Sequence, residues 1–201
     1  MICAVVTVPS IQSGNAAPGN RTLEVRAQSA STTGSNDVVT VQVAVQTVHA
    51  VSLSPNGMQQ TYPAAAVTYS HTLANLGNVD EPTSFTGSFL SDSQQGAGWT
   101  STAYIDANGN NTLDLGTDTL VATGSSVTLA VGASRTIFVR VFAPASATSA
   151  SPANVTTLTA TYNTSATTSA TDTTGITEGL LLLKEQVSTD CATTPAGGYT
   201  S

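Results

Sequence analysis

The chain has 201 residues, 8% of them charged and 5% aromatic, with five basic against twelve acidic residues, a formal net charge of −7 and an isoelectric point near 4.3. Such a surface repels phosphate backbones, which argues against nucleic acid as a partner. The length can bury a core in one large or two small domains. No apolar run reaches the roughly 20 residues of a membrane-spanning helix, and Gly179-Leu180-Leu181-Leu182-Leu183 is far too short.

Residues 2–9 are an apolar run ended by Pro9 and followed by a Gly/Ser/Asn/Pro loop to Asn20. The run has no basic leader and does not read as a secretory signal. Thr22 to Gln28 alternates as a strand, with Leu23, Val25 and Ala27 on one face. Val39, Val41, Val43 and Val45 recur at a spacing of two, the clearest strand signal in the chain. The pattern runs on through His49 to Val51-Ser52-Leu53, and Ser54-Pro55-Asn56-Gly57 marks a turn. From Pro63, Val67, Tyr69, His71 and Leu73 share one parity until Asn75-Leu76-Gly77-Asn78, residues suited to a left-handed turn. Further strands are expected near 83–90, 98–105, 119–122, 126–131, 135–142, 155–162 and 179–187, and no helix. Short strands with turn signals at this spacing, outward Thr and Ser against inward Val, Leu and Ala, indicate an all-β sandwich.

A shift of 135 residues aligns Ile2 with Ile137, Val6 with Val141, Pro9 with Pro144, Leu23 with Leu158, Thr32-Thr33 with Thr167-Thr168, and Asp37 with Asp172. Read as an internal repeat, this divides the chain into three. Residues 1–50 hold the closing strands of a preceding or partner-completed module, 51–178 a complete sandwich, and 179–201 a strand and tail opening the next.

One stretch carries candidate ligand chemistry. Oxygen-bearing side chains fall at Asp106, Asn108, Asn110, Thr112 and Asp114, every second residue, and Asp118 is placed to close the shell. This is how a short loop wraps hard oxygens around Ca²⁺. The run is similar to the D-x-[DN]-x-[DN]-G calcium loop, with Asn111 in the Gly position and the closing acid one place late. Asn tolerates the left-handed backbone that Gly supplies. The competing reading is a polar loop between two strands, where turns require Asn, Gly and Asp.

Other chemistry is sparse. His49 and His71 share the parity of apolar strand residues and read as packed or partner-facing rather than catalytic. With Cys3 and Cys191 they lack zinc-ligand spacing. Asp80-Glu81 read as a solvated loop, Trp99 as core rather than a sugar platform, and Lys184 leaves no basic patch. A Cys3–Cys191 bridge would tie the chain end to end, and pairing with other chains is equally open. Four Asn-X-Thr/Ser triplets start at Asn20, Asn110, Asn154 and Asn163.

Pro63 to Asn78, the Asp106 loop, Leu129 to Val141 and Leu182-Leu183-Lys184-Glu185-Gln186 together resemble the DUF11, or conserved-repeat, modules of bacterial envelope proteins, over roughly residues 50–190. The usual Pro-Gly of that pattern is Pro63-Ala64 here. The resemblance implies an immunoglobulin-like antiparallel β-sandwich, tandem arrays on the bacterial cell surface, a scaffold not known for catalysis, and Cys191 opening a following module; the repeat adds the partial flanking modules. The expectation is therefore a non-catalytic extracellular building block of a surface layer, fibre or filament. It would assemble head-to-tail with copies of itself, because open strand edges are normally paired or covered. The alternative is a calcium-dependent adhesin whose loops 91–99 and 106–118 hold a cell-surface glycan or protein.

Overall fold

The computed structural model describes residues 5–7, 16–32 and 34–177. In chain order the strands are β1 (Gly19–Gln28), β2 (Asn36–Val45), β3 (Val51–Ser54), β4 (Gly57–Thr61), β5 (Ala66–Asn75), β6 (Glu81–Ser84) and β7 (Leu90–Asp92). They continue with β8 (Thr100–Ile105), β9 (Thr119–Leu120), β10 (Ser126–Leu129), β11 (Ser134–Phe142), β12 (Asn154–Tyr162) and β13 (Ala166–Ile176). A single 3₁₀ turn, Gln95–Ala97, is the one helical element among the described residues.

From β3 onward the chain forms an immunoglobulin-like β-sandwich. One sheet has the order β3-β5-β11-β8-β9, and the other β10-β6-β12-β13-β4, with β7 also on β12. Pairing is antiparallel throughout except β4 on β13, which is parallel. The switch of sheet between β3 and β4 occurs at Ser54-Pro55, a cis peptide bond.

Alternation explains which side chains meet. In β5, Tyr69, His71, Leu73 and Asn75 point inward and Ser70 and Thr72 outward, as their parity predicts. Ile137, Val139 and Val141 of β11 add to that apolar face. The facing sheet is far more polar, presenting Asn154, Thr156, Leu158 and Ala160 from β12 and Ala170, Asp172, Thr174 and Ile176 from β13. Trp99 and Phe85 are fully buried, and the Phe85 and Phe89 rings meet edge to face at 5.8 Å. One layer therefore supplies the hydrophobic driving force. The other supplies groups that must each find a hydrogen-bond partner.

Three expectations change, and a fourth lies outside the described residues. The stretch from Val39 to Leu53 is two strands, broken over residues 46–50. There the extended chain is tied to the β5–β6 turn by Leu76 N–H to Ala50 O (2.8 Å) and Asn78 N–H to Val48 O (3.0 Å). The stretch 83–90 is divided between β6 and β7 by a loop with left-handed Gly87. Strands β4 and β13 lie where no strand is expected, because their inward positions are Thr, Ala and Asp rather than Val or Leu. The strand expected at 179–187, and the tail to 201, lie outside the described residues.

Strands β1 and β2 form a separate two-stranded sheet with Leu23 opposite Val41 and Val25 opposite Val39. Its polar face carries Asn20, Thr22, Glu24 and Thr40. The opposite face carries Leu23, Val25, Val39, Val41, Val43 and Val45, with Arg21 and Asp37 toward its ends, and among the described residues little covers it: Val39 is 57% and Val41 47% exposed. The Val alternation thus forms the expected strand without the expected burial.

Candidate functional site

The Asp106 loop connects β8 to β9 and brings its acids together through backbone N–H groups. Asp106, 2% exposed, accepts from Gly109 N–H at Oδ1 (2.7 Å) and Asn111 N–H at Oδ2 (2.9 Å). Asp118, also buried, accepts from Ala107 N–H (3.1 Å) and Asp114 N–H (2.8 Å). Asp114 Oδ2 accepts from the side-chain amides of Asn110 (2.6 Å) and Asn108 (3.1 Å). The amide oxygens of Asn108 and Asn110 accept in turn from Asn110 N–H (3.1 Å) and Thr112 N–H (2.8 Å). Asn111 adopts φ 58°, the left-handed conformation a Gly would supply, and its side chain accepts from the Thr136 hydroxyl at 2.8 Å.

Ca²⁺ requires six to eight oxygens turned on one point. The residue types suit that demand, but in this arrangement five of the six side chains spend oxygens on N–H donors. Asn108 and Asn110 turn their NH₂ groups, rather than their oxygens, toward Asp114. Among the described residues no group of three or more His, Cys, Asp or Glu converges as a metal cluster. What the geometry displays is a loop clamped by its own carboxylates.

The second polar cluster spans the two sheets. His71 of β5 donates from Nδ1 to Pro55 O (2.7 Å), and its Nε2 lies 2.9 Å from Asp172 Oδ2 of β13, both side chains 1% exposed. Burial by itself lowers the His71 pKa. The hydrogen bond and charge of Asp172, helped by the Pro55 carbonyl, outweigh it and leave the pKa above its ordinary 6.5. Beside the pair, the Tyr69 hydroxyl contacts Thr173 O (2.9 Å) and Thr174 Oγ1 (2.8 Å). Burial raises the Tyr69 pKa; the Thr174 bond opposes this and the Asp172 charge adds to it. Nδ1 faces Pro55 O and Nε2 faces Asp172, so neither ring nitrogen of His71 is turned on a serine hydroxyl as a triad requires.

His49 lies in the extended 46–50 segment rather than on a strand, about one-third exposed, with Nδ1 2.6 Å from Glu81 Oε2. Glu81 is buried, correcting the solvated-loop expectation. It opens β6, so alternation turns it inward with Thr83, and its Oε1 accepts from Asn163 N–H at 3.0 Å. Asp80 stays outside and accepts from Val131 N–H at 3.1 Å. Trp99 is core. Asn154 is fully buried on Asp92 and Thr156, which puts that triplet out of reach of a glycosylating enzyme in the folded chain.

The Asn75-Leu76-Gly77-Asn78 turn does more than reverse the chain. Asn75 Nδ2 donates to Val79 O (2.8 Å) and Leu129 O (3.0 Å), and its Oδ1 accepts Gly77 N–H (2.9 Å). Asn78 Oδ1 accepts Val48 N–H (2.7 Å) and its Nδ2 donates to Gln46 O (2.9 Å) and Ala16 O (3.2 Å). One side chain therefore joins the β1–β2 sheet to the sandwich.

No family model matches the chain, and the curated proteins contain no match. Among solved structures, the PapD-like domain 7 of human CEP192 is similar over 64% of this chain and 86% of its own, at 14% identity and TM-score 0.36. Domains 4 and 5 of the S-layer protein SbsC are similar over 79% of this chain and 58% of theirs, at 15% identity and TM-score 0.32. Spo0M of Bacillus subtilis, a sporulation control protein, is similar over 66% of this chain and 50% of its own, at 8% identity and TM-score 0.35. At such values none of these likenesses carries a functional argument.

Proposed function

We propose that this β-sandwich chain is a non-catalytic structural subunit of an extracellular bacterial surface layer, fibre or filament, and that it assembles head-to-tail with copies of itself. The observation that carries the reading is the apolar face of the β1–β2 sheet. Monomeric soluble proteins seldom leave a row of paired valines in water, and a two-stranded sheet with one apolar face gains most of its stability from a covering layer. The low charge and Thr/Ser-rich outer faces suit a hydrated, exposed material. His71, buried with both ring nitrogens engaged between the sheets, suits a structural role.

A second reading, an adhesin, rests on an open groove of about 530 Å³ between the 87–92 segment and β8–β9, lined in part by Phe89, Asp92, Ser101 and Leu120. Asp92 is already spent there on Ser101, Asn154 and Thr156, so the groove offers a ligand little free charge. Light scattering over a concentration series, with electron microscopy of the full chain, tests the structural reading. Growth into linear assemblies is expected. A chain that stays a 20.2 kDa monomer at every concentration overturns it.

A further inference from the structure

The strand registers turn the sequence repeat into a structural one. Strand β1 aligns with β12 at the shift of 135, Leu23 with Leu158. Opposite Leu23 stands Val41, and opposite Leu158 stands Ala170, so β2 falls on β13 at a shift of 129. The six-residue difference reflects the shorter turn at 163–165, and it means that Asp37 does not take the place of Asp172. Val43 does. On this alignment Leu23, Val25, Val41, Val43 and Val45 occupy the places of Leu158, Ala160, Ala170, Asp172 and Thr174, inward positions of the sandwich. Val6, aligned with core Val141, lies beside Leu23, Val43 and Val45 around a recess of about 400 Å³.

The aligned strands differ in what flanks them. Strand β13 is bordered in parallel by β4, and β3 lies close to it. No strand among the described residues borders the free edge of β2. In the chain, β3 and β4 follow β1–β2 after a five-residue connection. The 24 residues from 178 to 201 follow β12–β13 in the same way and begin with the apolar run Leu180 to Leu183. Deepening the self-assembly reading on which it rests, we infer that residues 179–201 of one copy occupy, on the β1–β2 sheet of the next copy, the place that β3–β4 take on β13. Main-chain bonds along the β2 edge provide register, and the leucines cover the valine face. Such a contact uses two different surfaces and propagates without closing, giving a filament.

The test uses the full chain with both native cysteines replaced (Cys3→Ser, Cys191→Ser). Val41→Cys and Leu182→Cys are introduced together, and the product of mild oxidation is read on a denaturing gel. A ladder of covalent multimers is expected. Val41→Asp, on the native background, is expected to weaken self-association at least about tenfold, by burying a charge where an apolar side chain belongs. Its sandwich should melt unchanged, and a peptide of residues 178–201 should compete with assembly. Assemblies that are unaffected by Val41→Asp and by the peptide overturn this inference while leaving self-assembly standing. A disulfide formed within one chain, in a protein that stays monomeric, overturns both.

Discussion

The imidazole of His71 and the carboxylate of Asp172 meet at 2.9 Å in the space between the two sheets, each 1% exposed, and pin β5 to β13 at the middle of the sandwich. They stand 101 positions apart in the sequence. A buried ion pair is costly to halve, because the remaining charge has neither water nor partner. His71→Leu should therefore destabilise the chain by about 3–5 kcal/mol, whereas His71→Leu/Asp172→Leu should recover most of that loss. Urea denaturation of the two variants checks the ordering. A double variant no better than the single one would show that the pair does not act as a unit.

The same pair sets a pH dependence. The His71 pKa is raised on folding, so its stabilisation is fully present below the unfolded value of about 6.5 and is lost as pH rises through the folded value. Stability should decline by this route as pH rises above about 6.5, and the His71→Leu/Asp172→Leu variant should lack that component. Denaturation midpoints across neutral and mildly alkaline pH measure it.

Gly57 and Gly175 test how tightly the layers fit. A Cβ on Gly57 would stand 2.3 Å from the Tyr69 ring and 2.5 Å from Asp172 Oδ1, whereas one on Gly175 meets nothing nearer than 3.8 Å. Tyr69 is buried and held by its hydroxyl, so it cannot easily yield. Gly57→Ala should cost about 1–3 kcal/mol through overpacking. Gly175→Ala should be neutral or slightly stabilising, since alanine is the less costly residue within a strand. Thermal melts of the two variants should move in opposite directions, or Gly175→Ala should not move at all.

How much of this could be read from residues alone depended on which face carried the signal. The valine and tyrosine alternation announced β2, β5 and β11, because an apolar face leaves a period-two trace. Strand β13 left none. Its inward positions are Ala170, Asp172, Thr174 and Ile176, and it is held in place by His71 and Tyr69 from the other sheet, a tertiary effect with no local mark. Glu81 was opaque for the same reason: its partners, His49 and Asn163, lie 32 and 82 residues away. The Asp106 loop was visible as a motif, but which donors its oxygens would face is a matter of backbone geometry. Alternation placed the valines of β2 on one face and could not say whether anything lay over them.

Asn75 and Gly77 are expected to act together. The Asn75 amide serves the carbonyls of Val79 and Leu129, and a Cβ on Gly77 would lie 2.4 Å from Val48 O. Asn75→Ala leaves buried carbonyls without a donor and should cost about 2–4 kcal/mol. Gly77→Ala should displace the 46–50 segment and loosen the β1–β2 sheet before the sandwich. Hydrogen exchange should report faster exchange at Leu76 and Asn78, whose amides bind that segment, while the β11 amides stay protected. Uniform loss of protection would mean that the turn serves the whole fold and not the junction.

The Asp106 loop separates a self-clamped turn from a calcium site. If Asp106 and Asp118 serve backbone N–H groups, Asp106→Ala abandons the Gly109 and Asn111 amides and costs about 2–4 kcal/mol with or without calcium. The melting temperature of the unaltered chain should then be the same in chelator and in millimolar calcium. A bound ion gives a different pattern. At a hundred times its dissociation constant, a ligand specific to the folded state adds about 2.7 kcal/mol. That would shift the melt by several degrees and would vanish in Asp106→Ala. We expect the calcium-independent result, because the Asn108 and Asn110 oxygens are already committed within the loop. A calcium-dependent rise abolished by Asp106→Ala and by Asp118→Ala would instead assign Asp106, Asn108, Asn110, Thr112, Asp114 and Asp118 to the ion.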